Sequence, residues 1–140
     1  MNDQILIFFL AAVVIAGALV FAMICATKKG RKNLNVEYYR VRCLEIEHTL
    51  KRDEFSSYHL SVLNADKLMD KALMERGFKG STTGERMKSA SAIFNNRNGI
   101  WEAHKLRNKI AHEPDAYVTY DQARYALAEF RRALKDLGAI

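Results

Sequence analysis

The sequence predicts an all-α protein, with a single N-terminal transmembrane helix followed by an antiparallel bundle of four to five helices. Three observations carry that expectation. From Ile5 to Ala26 there are 22 consecutive residues without a charge, a side-chain amide or a proline. Beyond Lys32 the apolar residues recur at intervals of three and four, and no segment alternates with the period of two that marks a half-buried strand. The turn residues of that part, Gly77 to Gly84, Asn98-Gly99, Pro114 and Gly138, fall between the periodic runs.

The first element is set by length and uniformity. As a helix rising about 1.5 Å per residue, the apolar run covers about 33 Å, slightly more than a hydrocarbon core of about 30 Å. It is apolar all round, whereas the core helix of a 140-residue chain keeps a polar stripe. Met1-Asn2-Asp3-Gln4 holds an acid and no base, unlike the start of a cleavable signal peptide, so residues 1–27 are expected to stay attached as an anchor in the bilayer. No Lys or Arg precedes residue 28, and Lys28, Lys29, Arg31 and Lys32 follow at once. That asymmetry predicts a single-pass protein of the cell membrane with its N-terminus outside, a basic linker over 28–35 and a cytoplasmic domain over 36–140. Ala12 with Ala16, and Ala18, Ala22 and Ala26, have the spacing that lets two spans pack closely.

The formal net charge of +6 points to nucleic acid only if the charge lies on the folded domain. It does not lie there. Residues 28–42 hold six bases against Glu37, a net of +5 beside the membrane, and residues 43–140 hold 16 bases and 14 acids. Most of the basicity is therefore a topology signal, suited also to anionic lipid headgroups. Two cysteines, Cys25 and Cys43, are too few for a disulfide scaffold or a cysteine zinc site, and a reducing compartment makes Cys43 an ordinary buried thiol.

In the domain, Val36, Tyr39, Cys43, Ile46 and Leu50 form one helical stripe. A second helix is expected from about Glu54 to Arg76, with Phe55, Val62, Leu63, Met69 and Leu73 inward; whether Asp53 separates it from the first is open. Gly77 to Gly84 reads as a connection, because a phosphate loop needs Gly-Lys-Ser/Thr at its end and Gly84-Glu85-Arg86 puts an acid there. Thr82-x-x-Glu85 is a capping-box pattern, so a third helix should begin there, carry Met87, Ala90 and Phe94 inward and stop near Asn95-Asn96. A fourth should run from about Ile100 to Glu113, where Pro114 forbids continuation. Thr119-x-x-Gln122 opens a fifth, with Tyr120, Ala123, Leu127, Phe130, Leu134 and Leu137 inward and Gly138 as its stop.

The fourth helix carries the chemistry. Projected at about 100° per residue, Ile100, Ala103, Leu106, Ile110 and Ala111 form a core face, and Glu102, Lys105, Lys109 and Glu113 a solvated one. A third sector holds Trp101, His104, Asn108 and His112, while Arg107 lies among the apolar residues, where it needs a partner or a seam. One reading is structural, with the polar groups serving loop carbonyls and Arg107 paired with an acid such as Glu75 or Glu85. The other is a site in which an Arg binds phosphate and a His moves a proton. Zinc is disfavoured, since His104 and His112 are about 12 Å apart along the helix and no Cys, Asp or Glu completes a set; no cofactor is expected.

Arg107-Asn108-Lys109-Ile110-Ala111-His112 resembles the Arg-x4-6-His signature of HEPN domains, with the polar residue that commonly follows the Arg present as Asn108. The setting is similar too: a bundle of about 100 residues, with the motif near the end of its penultimate helix. Arg42 with His48, Arg52 with His59 and Arg97 with His104 share the spacing, but of the four only the Arg107 pair falls wholly within a helix that the pattern defines well. Active members of that family are metal-independent RNases that work as dimers. The resemblance therefore implies a homodimer in which Arg107 holds the scissile phosphate, His112 acts as general acid or base and Asn108 orients them. Arg107, Lys109 and His104 would touch RNA. Other HEPN-like domains are binding or regulatory modules. Two function classes follow: a tethered module working on RNA or a cytoplasmic protein partner through a dimer seam at Arg107 and His112, and an RNase cleaving single strands by 2′-hydroxyl attack.

Overall fold

The computed structural model describes residues 3–27, with side chains as far as Met23, and residues 32–140. Lys28, Lys29 and Arg31 of the expected linker, and the side chains of Cys25 and Ala26, lie outside the described residues. The chain divides into two units, Met1–Arg31 and Lys32–Ile140. The first is a single helix, α1 (Asp3–Thr27), whose described side chains are all exposed. With a mean hydropathy of 3.0 over its best window, it is long and apolar enough to cross a membrane.

The second unit is an all-helical bundle of α2 (Val36–Thr49), α3 (Phe55–Glu75), the short α4 (Thr83–Ser89), a single 3-10 turn at Ser91–Ile93, α5 (Arg97–His112) and α6 (Tyr120–Asp136), with no strand among the described residues. It begins before residue 36: Leu34 is already buried in the core, and the Asn35 side chain caps α2 by accepting from the Tyr38 N–H at 3.0 Å. The long α3 is the central element and packs on α2, α4, α5 and α6, while α5 and α6 pack on each other. The core contains Val62, Met69 and Leu73 from α3, Ile100 and Ala103 from α5, and Phe130, Leu134 and Leu137 at the C-terminal end. Each large side chain buried there contributes roughly 1.5–3 kcal/mol.

Asp53 settles the open boundary. It is the only described non-glycine residue with positive φ, at 71°, so α2 and α3 cannot be continuous. The joint is fixed from α3: Ser57 Oγ accepts from the Lys51 N–H at 3.0 Å, and the Tyr58 hydroxyl accepts from the Asp53 N–H at 3.1 Å. Arg52 stacks on the Tyr120 ring at 4.6 Å, tying the joint to the start of α6.

Several expectations need correction. Val36 and Phe55 are not inward; they are 39% and 66% exposed, because each opens its helix at a corner beyond the reach of the packed faces. Ala111 is exposed, and Leu106 and Ile110 are only half-buried. The third helix does not reach Asn95: α4 ends at Ser89, and Met87, Ala90 and Phe94 are buried across a helix, a bend and a 3-10 turn. The fourth starts earlier than Ile100, because the Asn96 side chain accepts from the Gly99 N–H at 3.1 Å and caps α5 at Arg97. The capping box of α6 is complete, with Thr119 and Gln122 bonded in both directions at 3.2 and 3.0 Å.

Candidate functional site

The sector of α5 singled out in the sequence faces α4, and between them lies an open groove of about 840 Å³. Its lining includes Trp101, His104, Arg107, Asn108 and His112 from α5 and Lys88 from α4. Lys109 is exposed and does not line the groove. The far wall is held by Arg86, whose guanidinium makes two 2.7 Å bonds to the carboxylate of Asp70 on α3 and donates a third, at 2.7 Å, to the Gly80 carbonyl. Gly80 permits this approach, since a Cβ there would stand 2.6 Å from the Arg86 backbone nitrogen.

At α4 the capping pattern is only half made. Thr82 accepts from the Glu85 N–H at 3.2 Å, but the Glu85 carboxylate reaches Ser81, taking its N–H and its hydroxyl at 2.6 Å each. Those bonds hold the Glu85 carboxyl below the usual range. They also leave Glu85 unavailable as the partner that Arg107 needs.

That partner is Asp66 of α3, one turn before Asp70. Asp66 is 2% exposed, and its two oxygens serve two side chains of α5. Oδ1 lies 2.8 Å from His104 Nδ1, and Oδ2 lies 3.2 Å from Arg107 Nε. A carboxylate only accepts, so Nδ1 of His104 carries a hydrogen on the Asp66 side, and whenever the ring is neutral Nε2 is its acceptor. The Arg107 contact is an ion pair whose N–H is not aligned for a hydrogen bond. The same guanidinium donates from Nη1 to Asn108 Oδ1 at 2.9 Å, and its side chain stays 33% exposed.

Arg107 is thus paired with an acid, but with Asp66 in place of Glu75 or Glu85; His104 serves the same acid instead of a loop carbonyl, and Asn108 accepts from Arg107. Glu75 instead accepts from the Tyr39 hydroxyl at 2.8 Å. His104 is 6% exposed and packs edge-on against Trp101, ring centroids 6.0 Å apart; His112 is exposed. A Cβ placed on Gly84 would stand 3.8 Å from His104 Nε2, so that nitrogen faces the α4 wall of the groove.

Helical placement does not separate the four Arg-His pairs as the sequence implied. Arg42 and His48 lie together in α2, and Arg97 and His104 in α5. What distinguishes Arg107 is its environment, because Arg42 and Arg97 are exposed. Asp66 is the residue that sequence reasoning missed. A signal was present, since Val62, Asp66, Met69 and Leu73 form one stripe at helical spacing, and an acid in an inward stripe requires a basic partner. Among the described residues no three His, Cys, Asp or Glu converge as metal ligands. A second groove, about 760 Å³, lies between α2 and α3 beside Tyr38, Arg42 and Lys71, but no buried acid orients its cations.

Comparison of the chain with protein-family models, curated proteins and solved structures returns no match.

Proposed function

We propose that the chain is a membrane-tethered helical module that binds the phosphate backbone of single-stranded RNA in the groove between α4 and α5, on the cytoplasmic side of its anchor. The observation that carries this reading is Arg107: ion-paired at Nε with a buried carboxylate and hydrogen-bonded at Nη1 to Asn108, it keeps a third of its side chain exposed where it lines the groove. A guanidinium fixed at one edge offers its remaining N–H groups to an anion without losing much side-chain entropy. Lys88 and Lys105 add positive charge, and half-buried Trp101 offers a face on which a base stacks. Single strands suit such a groove better than a duplex, whose bases are already stacked.

The seam of a homodimer is placed in this reading at the exposed end of α5, where His112 of each copy would approach the other groove. The small-residue spacing of α1 supports such pairing. The second reading, metal-independent cleavage by 2′-hydroxyl attack, is favoured by one specific feature, the carboxylate that orients a histidine beside the phosphate-binding arginine.

The test is binding of a labelled single-stranded oligoribonucleotide by the full chain in detergent with chelator present. Saturable binding that weakens with salt, and weakens further in Arg107→Ala, supports the groove. Absence of binding at low salt, or binding indifferent to Arg107→Ala and Lys88→Ala together, overturns it.

A further inference from the structure

We infer that His104, held by Asp66, is the proton-transfer group of the groove, in place of the more exposed His112; the inference rests on the reading of the groove as an RNA phosphate site. Three features separate the histidines. His104 has its tautomer set by a carboxylate that is itself almost without solvent, and among the described residues no hydrogen bond fixes the ring of His112. The acid that orients His104 also positions Arg107, so base and phosphate ligand are referenced to one carboxylate. Finally, three residues separate His104 from Arg107, about 4.5 Å of helix rise, against five residues and about 7.5 Å for His112. A general base needs a fixed tautomer and a fixed direction, and the Asp66 carboxylate supplies both to His104.

The step balances without a metal or a redox partner. His104 Nε2 takes the proton of a ribose 2′-hydroxyl as O2′ bonds to the adjacent phosphorus, and Asp66 stabilises the imidazolium so formed. Arg107 meets the negative charge that grows on the non-bridging oxygens. The bond from phosphorus to the 5′-oxygen breaks, and that oxygen takes a proton from water in the open groove. The hydroxide left behind recovers the proton from His104. The products are a 2′,3′-cyclic phosphate and a 5′-hydroxyl end.

The experiment uses the full chain in detergent with chelator and two probes: a single-stranded oligoribonucleotide and its fully 2′-O-methylated counterpart, which binds but lacks the nucleophile. We expect His104→Gly to lower kcat by about 100-fold or more and to hold the methylated probe within about threefold of wild type, since it leaves the cations in place. Added imidazole restores the rate of His104→Gly, a rescue that a purely structural histidine would not show. Asp66→Asn lowers kcat and, because Asp66 also positions Arg107, raises KM as well. His112→Ala slows the reaction by a smaller factor. Should His104→Gly fail to fold, His104→Gln carries the same comparison of rate against binding of the methylated probe.

Cleavage that survives loss of the His104 imidazole overturns the inference. So does a wild-type chain that binds the methylated probe but leaves RNA intact, and in that case the binding groove stands. Failure to bind the methylated probe removes the groove reading and the inference together.

Discussion

At the scale of single residues, the groove is organised by one shared carboxylate, Asp66. Removing a partner from a buried ion pair leaves a charge without compensation, so Arg107→Ala both removes the phosphate ligand and loosens Asp66. If Arg107 meets one phosphate of a single strand, its loss should weaken oligonucleotide binding about tenfold and flatten the slope of log affinity against log salt by about 0.7; titrations at several salt concentrations measure both. Cys43 gives a separate prediction. Burial, with the Glu47 carboxylate beside it, raises its thiol to about 11 from an ordinary 9.0. The unfolded thiol therefore ionises first as pH rises. Stability from this group is intact below about pH 9 and is lost between about 9 and 11. Chemical denaturation across that window should show the loss in wild type and less of it in Cys43→Ala. At this scale the sequence made Arg107 and Asn108 legible, since an Arg on an apolar flank announces a partner. It did not make Asp66 legible as that partner, because the contact joins residues 41 positions apart and periodicity reports only neighbours along one helix.

At the scale of elements, the ends decide what the patterns leave open. Complete capping of α6 by Thr119 and Gln122 predicts that Thr119→Ala costs about 1 kcal/mol, readable as a lower melting temperature without loss of helical content elsewhere. The Asp70 and Arg86 pair is more demanding, because both side chains are largely buried and Arg86 also holds the Gly80 carbonyl. Arg86→Ala should cost about 3 kcal/mol and detach the segment before α4 from α3, which hydrogen exchange over residues 78–86 would detect. Spacings of three and four marked α3 and α6 well, because each presents a long stripe to the core, and marked α2 through its two buried residues Tyr39 and Cys43. They failed at α4, where Met87, Ala90 and Phe94 keep helical spacing although the backbone bends after Ser89, since burial of three side chains does not require one continuous helix. They failed also at the start of α5: the cap is Asn96, a side-chain acceptor that a search for apolar periodicity passes over.

At the scale of the whole molecule, the two units answer to different solvents. Every described side chain of α1 is exposed, whereas residues 32–140 enclose their own core from Leu34 to Ala139. A unit that buries its own apolar faces does not need the anchor to fold. Residues 32–140 made alone should therefore remain in aqueous solution and melt cooperatively, and the full chain should require detergent; calorimetry and partition between detergent and buffer distinguish the two. Topology is the part on which the groove's function turns. Under the positive-inside rule the bases that follow α1 predict a C-terminal unit on the cytoplasmic side, the side on which RNA is present. Protease added to intact cells should then leave a C-terminal tag uncut, and the same protease should remove it once the membrane is opened. A tag cut in intact cells would place Arg107 and His104 away from any RNA and end the proposed function, although the fold and the shared Asp66 carboxylate would be unchanged.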